Sequence, residues 1–160
     1  MIRKPIKRNE HIRKLSQEHH FCLLFCWKVR QGVKKEIAPD RIWRYVQYFW
    51  HGHLRPHFKS EEKILFAPLR DNQVERAIRE HKQIDQFISE MERQSAFIGR
   101  KSLAELATMV DAHVRYEEGQ LFPHLERNLT TQQLEKIGVL IQKSTPVILQ
   151  DQYADQFWNN

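Results

Sequence analysis

Apolar residues recur along most of this chain at intervals of three and four, the spacing that lines up side chains on one face of an α-helix. A first such segment runs from about Glu10 and carries Ile12, Leu15, Cys22, Leu23, Cys26 and Val29 on one side. A second starts near Pro39 and Asp40 and carries Ile42, Val46, Phe49, Trp50 and Leu54. Proline is tolerated at such a start because the amide of an early helical position has no partner anyway. The third segment opens with Asn72-Gln-Val-Glu75 and the fourth with Ser102-Leu-Ala-Glu105, each a polar residue followed three positions later by Glu. That is the capping-box pattern, and it predicts helix starts at both places. Pro68 and Asp71 mark the turn between the second and third segments, and Gly99 breaks the chain between the third and fourth. A shorter fifth helix is predicted from Thr130 or Thr131, with Leu134, Ile137, Leu140 and Ile141, and the ending from Tyr153 to Trp158 is apolar enough to dock on the rest. Short connections make successive helices antiparallel neighbours. The pattern therefore predicts one all-α domain over 1–160, an up-down-up-down four-helix bundle over about 10–129 with an additional C-terminal helix and tail over 130–160.

Composition narrows the setting. With 160 residues, 5 Gly and 6 Pro the chain is long enough for a continuous core and poor in breakers. Its longest apolar run, Phe21 to Trp27, falls well short of the ~18 residues a membrane span requires, and the start has no apolar signal region. A soluble, cytoplasmic protein is expected. The two cysteines, Cys22 and Cys26, lie one helical turn apart and read as small core residues of a reduced compartment. A net charge of +6 and a pI near 9.4 raise nucleic-acid binding, with Arg3-Lys-Pro-Ile-Lys-Arg8 as the basic stretch. Against it, the remaining Lys and Arg alternate with acids along helix faces, as on a solvated surface.

The chemistry lies in a phrase written twice, His57-Phe-Lys-Ser-Glu61-Glu62-Lys-Ile-Leu65-Phe66-Ala-Pro-Leu69 and His113-Val-Arg-Tyr-Glu117-Glu118-Gly-Gln-Leu121-Phe122-Pro-His-Leu125. The copies share the His, both Glu, and the Leu, Phe and final Leu. Each presents a His and a Glu one turn apart, ligands suited to a divalent transition metal, and two such pairs on different helices can converge on a dinuclear site. The third segment adds His81, on one stripe with Val74, Ala77, Ile78, Ile84 and Ile88. The first adds His19, on one stripe with Leu15, Cys22 and Cys26, whereas His20 lies about 100° away, either supporting a ligand or at the rim. Height in the bundle agrees: His57 and His81 each lie ten residues, about 15 Å, from the turn between their helices. For His19 to reach the same level, the first helix must continue past Gly32 to about Ile37. His53, one turn before His57, is the best candidate for an extra ligand, beside a possible kink at Pro56. Asp85, four residues after His81, is a further acid at ligand spacing. Glu62 and Glu118 are solvated or hydrogen-bond a ligand His; His11, His51 and His124 are read as surface residues; Gly119 is a channel, a close contact or an incidental helix glycine.

The set His19, His57, Glu61, His81, His113 and Glu117 resembles the hemerythrin-like family, the HHE cation-binding domains, over about Leu15 to Leu129. Ligand type, order, spacing and the flanking His-Phe-x-x-Glu-Glu and Leu-Phe-Pro phrases carry the resemblance. It implies two iron ions, bridged by both Glu and an oxo or hydroxo group, with zinc as a possible substitute. Two departures bear on oxygen carriage: Ala77 stands four residues before His81 where the oxygen carriers have a second His, and Glu117 comes four residues after His113 where they have an Asp at five. Each iron would then hold five of about six ligands and keep an open position. The resemblance thus implies a centre that binds or senses dioxygen, nitric oxide or peroxide. A di-iron redox enzyme or iron-cluster repair factor, and a zinc-binding or metal-free helical interaction protein, are the alternatives.

Overall fold

The computed structural model describes residues 7–144 and 152–159, so Arg3 to Ile6 of the basic stretch lie outside the described residues. Every element among them is helical. The first helix is Arg13–Lys34. The second runs without a break over 39–65, its α-helical parts Pro39–Phe49 and Arg55–Ser60 alternating with wider π-helical turns at Trp50–Leu54 and Glu61–Leu65. The third is Asn72–Arg93. The fourth covers 100–128, with a π turn, Glu117–Leu121, between Arg100–Tyr116 and Phe122–Asn128. The fifth is Thr131–Lys143.

Boundaries were the least accurate expectation. The first helix stops at Lys34, three residues short of Ile37, where the amides of Glu36 and Ile37 donate to the carbonyls of Val33 and Gly32. Such a closure needs a left-handed residue, and Glu36 takes that role at φ 55° where glycine is favoured. The four-residue connection that follows still lets His19 and His57 meet. The third helix is capped one residue earlier than the Asn72 pattern indicates, by Asp71, whose carboxylate accepts from the Val74 amide at 3.1 Å. The fourth begins at Arg100 after Gly99, and no capping box forms at Ser102. At Thr130 a capping box does form with Gln133.

The prolines inside the helices coincide with the wide turns. Pro56 and Pro123 lack an amide proton, and their rings crowd the carbonyl four residues back. Each stands two residues after the end of a π turn, Trp50–Leu54 or Glu117–Leu121, whose hydrogen bonds reach five residues back. The helix thus passes each proline by widening.

The core is two apolar clusters with a polar layer between them. One gathers Phe25, Cys26, Tyr45, Phe49, Ile84, Leu106 and Val110. The other gathers Leu15, Leu65, Phe66, Ala77, Leu121, Phe122 and, from the fifth helix, Leu134, Ile137 and Ile141. Cys22 and Cys26 are buried free thiols. The C-terminal residues dock as expected: Phe157 and Trp158 are buried against Tyr45, Lys35 donates to the Trp158 carbonyl at 2.7 Å, and Arg41 holds Asp155. Gly32 makes room for this tail, because a Cβ there would stand 2.7 Å from the Phe157 ring.

Candidate metal centre

Between the two apolar clusters the bundle buries His19, His57, His81, His113, Glu61 and Glu117, all at most 3% exposed. One residue comes from the first helix, two from the second, one from the third and two from the fourth, so the structure brings together all six residues singled out in the sequence. They fall into two groups whose ligand atoms lie within 4.8 Å of one another, His19, His57, Glu61 and Glu117 in one, and Glu61, His81, His113 and Glu117 in the other. Both carboxylates belong to both groups. Glu61 lies 3.2 Å from His57 Nε2 and 3.3 Å from the Nε2 of both His19 and His81; Glu117 lies 2.7 Å from His113 Nε2 and 3.4 Å from His19 Nε2. The two imidazole pairs are near copies: the rings of His19 and His57 sit 4.7 Å apart at 71°, those of His81 and His113 4.7 Å apart at 70°.

These polar atoms are close to one another yet poorly aimed for hydrogen bonding. Among the described residues, the four Nε2 atoms and the four carboxylate oxygens of Glu61 and Glu117 form no hydrogen bond of acceptable geometry. Leaving eight buried polar atoms without such a partner is costly. Lone pairs that converge on common points instead of on each other fit cations placed at those points, and the mixed imidazole and carboxylate donors suit a transition metal. The residues present therefore fit the metal that the HHE pattern implies.

A second ring of carboxylates fixes the imidazoles from outside. His19 Nδ1 donates to Glu118 at 2.6 Å, His57 Nδ1 to Glu18 at 3.2 Å, His81 Nδ1 to Glu62 at 2.8 Å and His113 Nδ1 to Glu80 at 2.9 Å. Each histidine is held by the preceding helix, and the first by the fourth, so the bonds close into a circle around the bundle. With Nδ1–H engaged, each Nε2 is left facing inward, the arrangement that orients metal-binding histidines. Glu118 is itself pinned by the Ser16 hydroxyl at 2.7 Å and by Arg8 at 2.9 Å, and Glu80 by Arg76 at 2.9 Å. Sequence reading allowed this role to Glu62 and Glu118 but passed over Glu18 and Glu80. The missed signal is a second repeated phrase, Glu18-His19 and Glu80-His81.

Electrostatics reflect the crowding. Burial opposes protonation of His57, yet the nearby charge of Glu61 and the hydrogen bond that His57 donates to Glu18 lift its pKa to about 9. At His113 burial is likewise outweighed, by Glu117 and Glu80, and the value rises to about 10. His19 and His81 shift upward for the same reason. Burial pushes the Glu61 carboxyl up, but His57, His19 and His81 outweigh it and hold the group well below the usual carboxylate range.

The remaining candidates lie elsewhere. His20 and Asp85 are exposed. His53 is buried but belongs to neither group of convergent ligand atoms; its ring stacks on Phe49 at 5.0 Å. His51 is exposed as expected, whereas His124 joins Asp71 across the end of the bundle and His11 lies against Gly138. A Cβ on Gly119 would meet nothing, which rules out close packing as its purpose.

Comparison with known proteins agrees with this geometry. The family model described as "Hemerythrin HHE cation binding domain" matches residues 10–125. Neither the curated proteins nor the solved structures contain a match to the chain. The matched stretch covers most of the chain, spans the first three bundle helices and the fourth as far as Leu125, and includes all six convergent residues, and the chain belongs to the hemerythrin family of HHE cation-binding domains.

Proposed function

We propose that the chain is a non-haem di-iron protein that binds or senses a diatomic ligand, dioxygen or nitric oxide, or a peroxide. The observation that carries this reading is the convergence of buried imidazole and carboxylate atoms in two groups that share Glu61 and Glu117. Two iron ions would supply Lewis acidity and one-electron redox chemistry. In this reading His19 and His57 serve one metal position, His81 and His113 the other, and Glu61 and Glu117 span both. Glu18, Glu62, Glu80 and Glu118 hold the imidazoles in the tautomer that presents Nε2. Phe58, stacked 3.9 Å from His81, and Phe122, 5.0 Å from His19, keep bulk water from the layer. A crevice of about 190 Å³ between the third and fourth helices is lined by Gln83, Met109, Ala112, Glu80 and His113. Its volume is small beside the roughly 300–1,000 Å³ of pockets that hold drug-sized ligands.

The test is metal analysis and absorption spectroscopy of protein purified from an iron-replete culture. About two irons per chain, the number that two ligand groups require, are expected with an oxo-bridged ferric band that changes on adding azide or nitric oxide. A colourless protein with one zinc per chain would overturn the di-iron reading, because a tetrahedral ion uses only four of the six ligands.

A further inference from the structure

The second and fifth helices leave a groove between their outer faces that the metal centre does not explain. Two adjoining depressions, of about 570 and 430 Å³, share Lys63, Ile64 and Leu140. Ile64 and Leu140 supply apolar floor, and Leu140 is 40% exposed. Around this floor stand Lys59 and Lys63, one turn apart on the second helix, and Lys136 and Lys143 on the fifth. Among the described residues no carboxylate lines either depression. Among the described residues none of these four lysines makes an ion pair, whereas arginines elsewhere hold carboxylates, Arg30 with Asp111 and Arg44 with Asp40 among them. Like charges gathered around an exposed apolar strip repel one another until an anion lies between them, and such a strip with a polar rim marks an interaction surface.

We propose that this groove docks an amphipathic helix of a partner protein, with acidic residues flanking a row of aliphatic ones. Charge complementarity selects the acid, because among the described residues every charged group on the rim is an ammonium group. The floor selects the aliphatic row, because a leucine at every third or fourth position would enter the strip between Ile64 and Leu140. From Pro56 to Ile64 the groove follows the second helix for about 12 Å, a little over two helical turns, and continues past the helix end to Ala67 and Pro68. A nucleic acid would meet the lysines but leave the aliphatic floor uncovered. The proposal stands independently of which metal the bundle core holds.

The experiment titrates the full chain, labelled with ¹⁵N, with a capped fourteen-residue peptide of leucine and glutamate at helical spacing. Amide shifts are expected around 59–68 and 136–144. Affinity should fall by about tenfold or more in the K63E/K136E variant, and a peptide with Lys in place of Glu should bind that variant better than it binds the unmodified chain. Both substitutions are on exposed side chains, and L140S provides a second probe that leaves the charges intact and should also weaken binding. Shifts elsewhere, or unchanged affinity in K63E/K136E, would overturn the proposal. A peptide with Ser in place of Leu binding equally well, or displacement of the leucine peptide by a lower concentration of single-stranded oligonucleotide, would show a general polyanion surface and overturn it as well.

Discussion

Loading the centre at neutral pH should release protons, and the structure sets how many. In the metal-free protein His57, with a pKa of about 9, and His113, at about 10, are each about 99% protonated or more at pH 7. A metal takes the neutral imidazole, so each must give up its Nε2 proton while Nδ1–H stays on Glu18 or Glu80. His19 and His81, shifted in the same direction, add to the release. At least about two protons should leave per metal pair bound at pH 7. The apparent affinity for the metal pair should then rise about 100-fold per pH unit from 7 toward 9, and level off above 10. Isothermal titration of metal-free protein with ferrous iron, under anaerobic conditions in buffers of different ionisation enthalpy, counts these protons directly. Two metals bound at pH 7 with no proton released would refute the reasoning that the buried carboxylates keep the imidazoles charged. The same shifts predict stability: a folded pKa raised above the unfolded value near 6.5 stabilises the metal-free fold fully below that value. The contribution is lost as pH rises through about 9 to 10. The melting temperature of metal-free protein should therefore fall between pH 7 and 10, more than that of the loaded form.

Three further outcomes follow from the same geometry. Glu61→Ala or Glu117→Ala should abolish binding of the metal pair, since each removes a ligand from both groups; two metals per chain in Glu117→Ala, by elemental analysis, would refute the shared role. His19→Ala should lower metal content while His20→Ala leaves it nearly unchanged, because His19 is buried against Glu61 and Glu117 and His20 faces solvent. Glu80→Gln and Glu118→Gln should each weaken metal affinity by about 10–100-fold, read by competition with a chelator, by loosening the ring that Glu80 or Glu118 orients.

The inward stripes were legible because they obey one rule, the helical period, and all six convergent residues lie on them. The supporting carboxylates were less so. Glu18 and Glu80 stand about 100° from His19 and His81 on their own helices, so amphipathicity alone assigns them to a flank. Their partners are on the next helix, His57 and His113, and that relation appears only when the helices are packed. The π turns were likewise invisible to periodicity, though the paired Glu at 61–62 and 117–118 mark where the two in the repeats begin. The predicted capping boxes at Asn72 and Ser102 lost to nearby competitors, the Asp71 carboxylate and the break at Gly99.

The sharing of Glu61 and Glu117 has a thermodynamic consequence. The first two helices contribute His19 and His57, the last two His81 and His113, but each half completes a metal position only with the other half's glutamate. In the proposed centre, the first ion to bind must therefore draw both halves into register and bear the ordering cost alone. The second ion meets carboxylates already fixed and imidazoles already opposed. Occupancy should be cooperative, with empty and doubly filled chains dominating at half saturation and the singly filled species scarce; native mass spectrometry at substoichiometric metal would resolve the three directly.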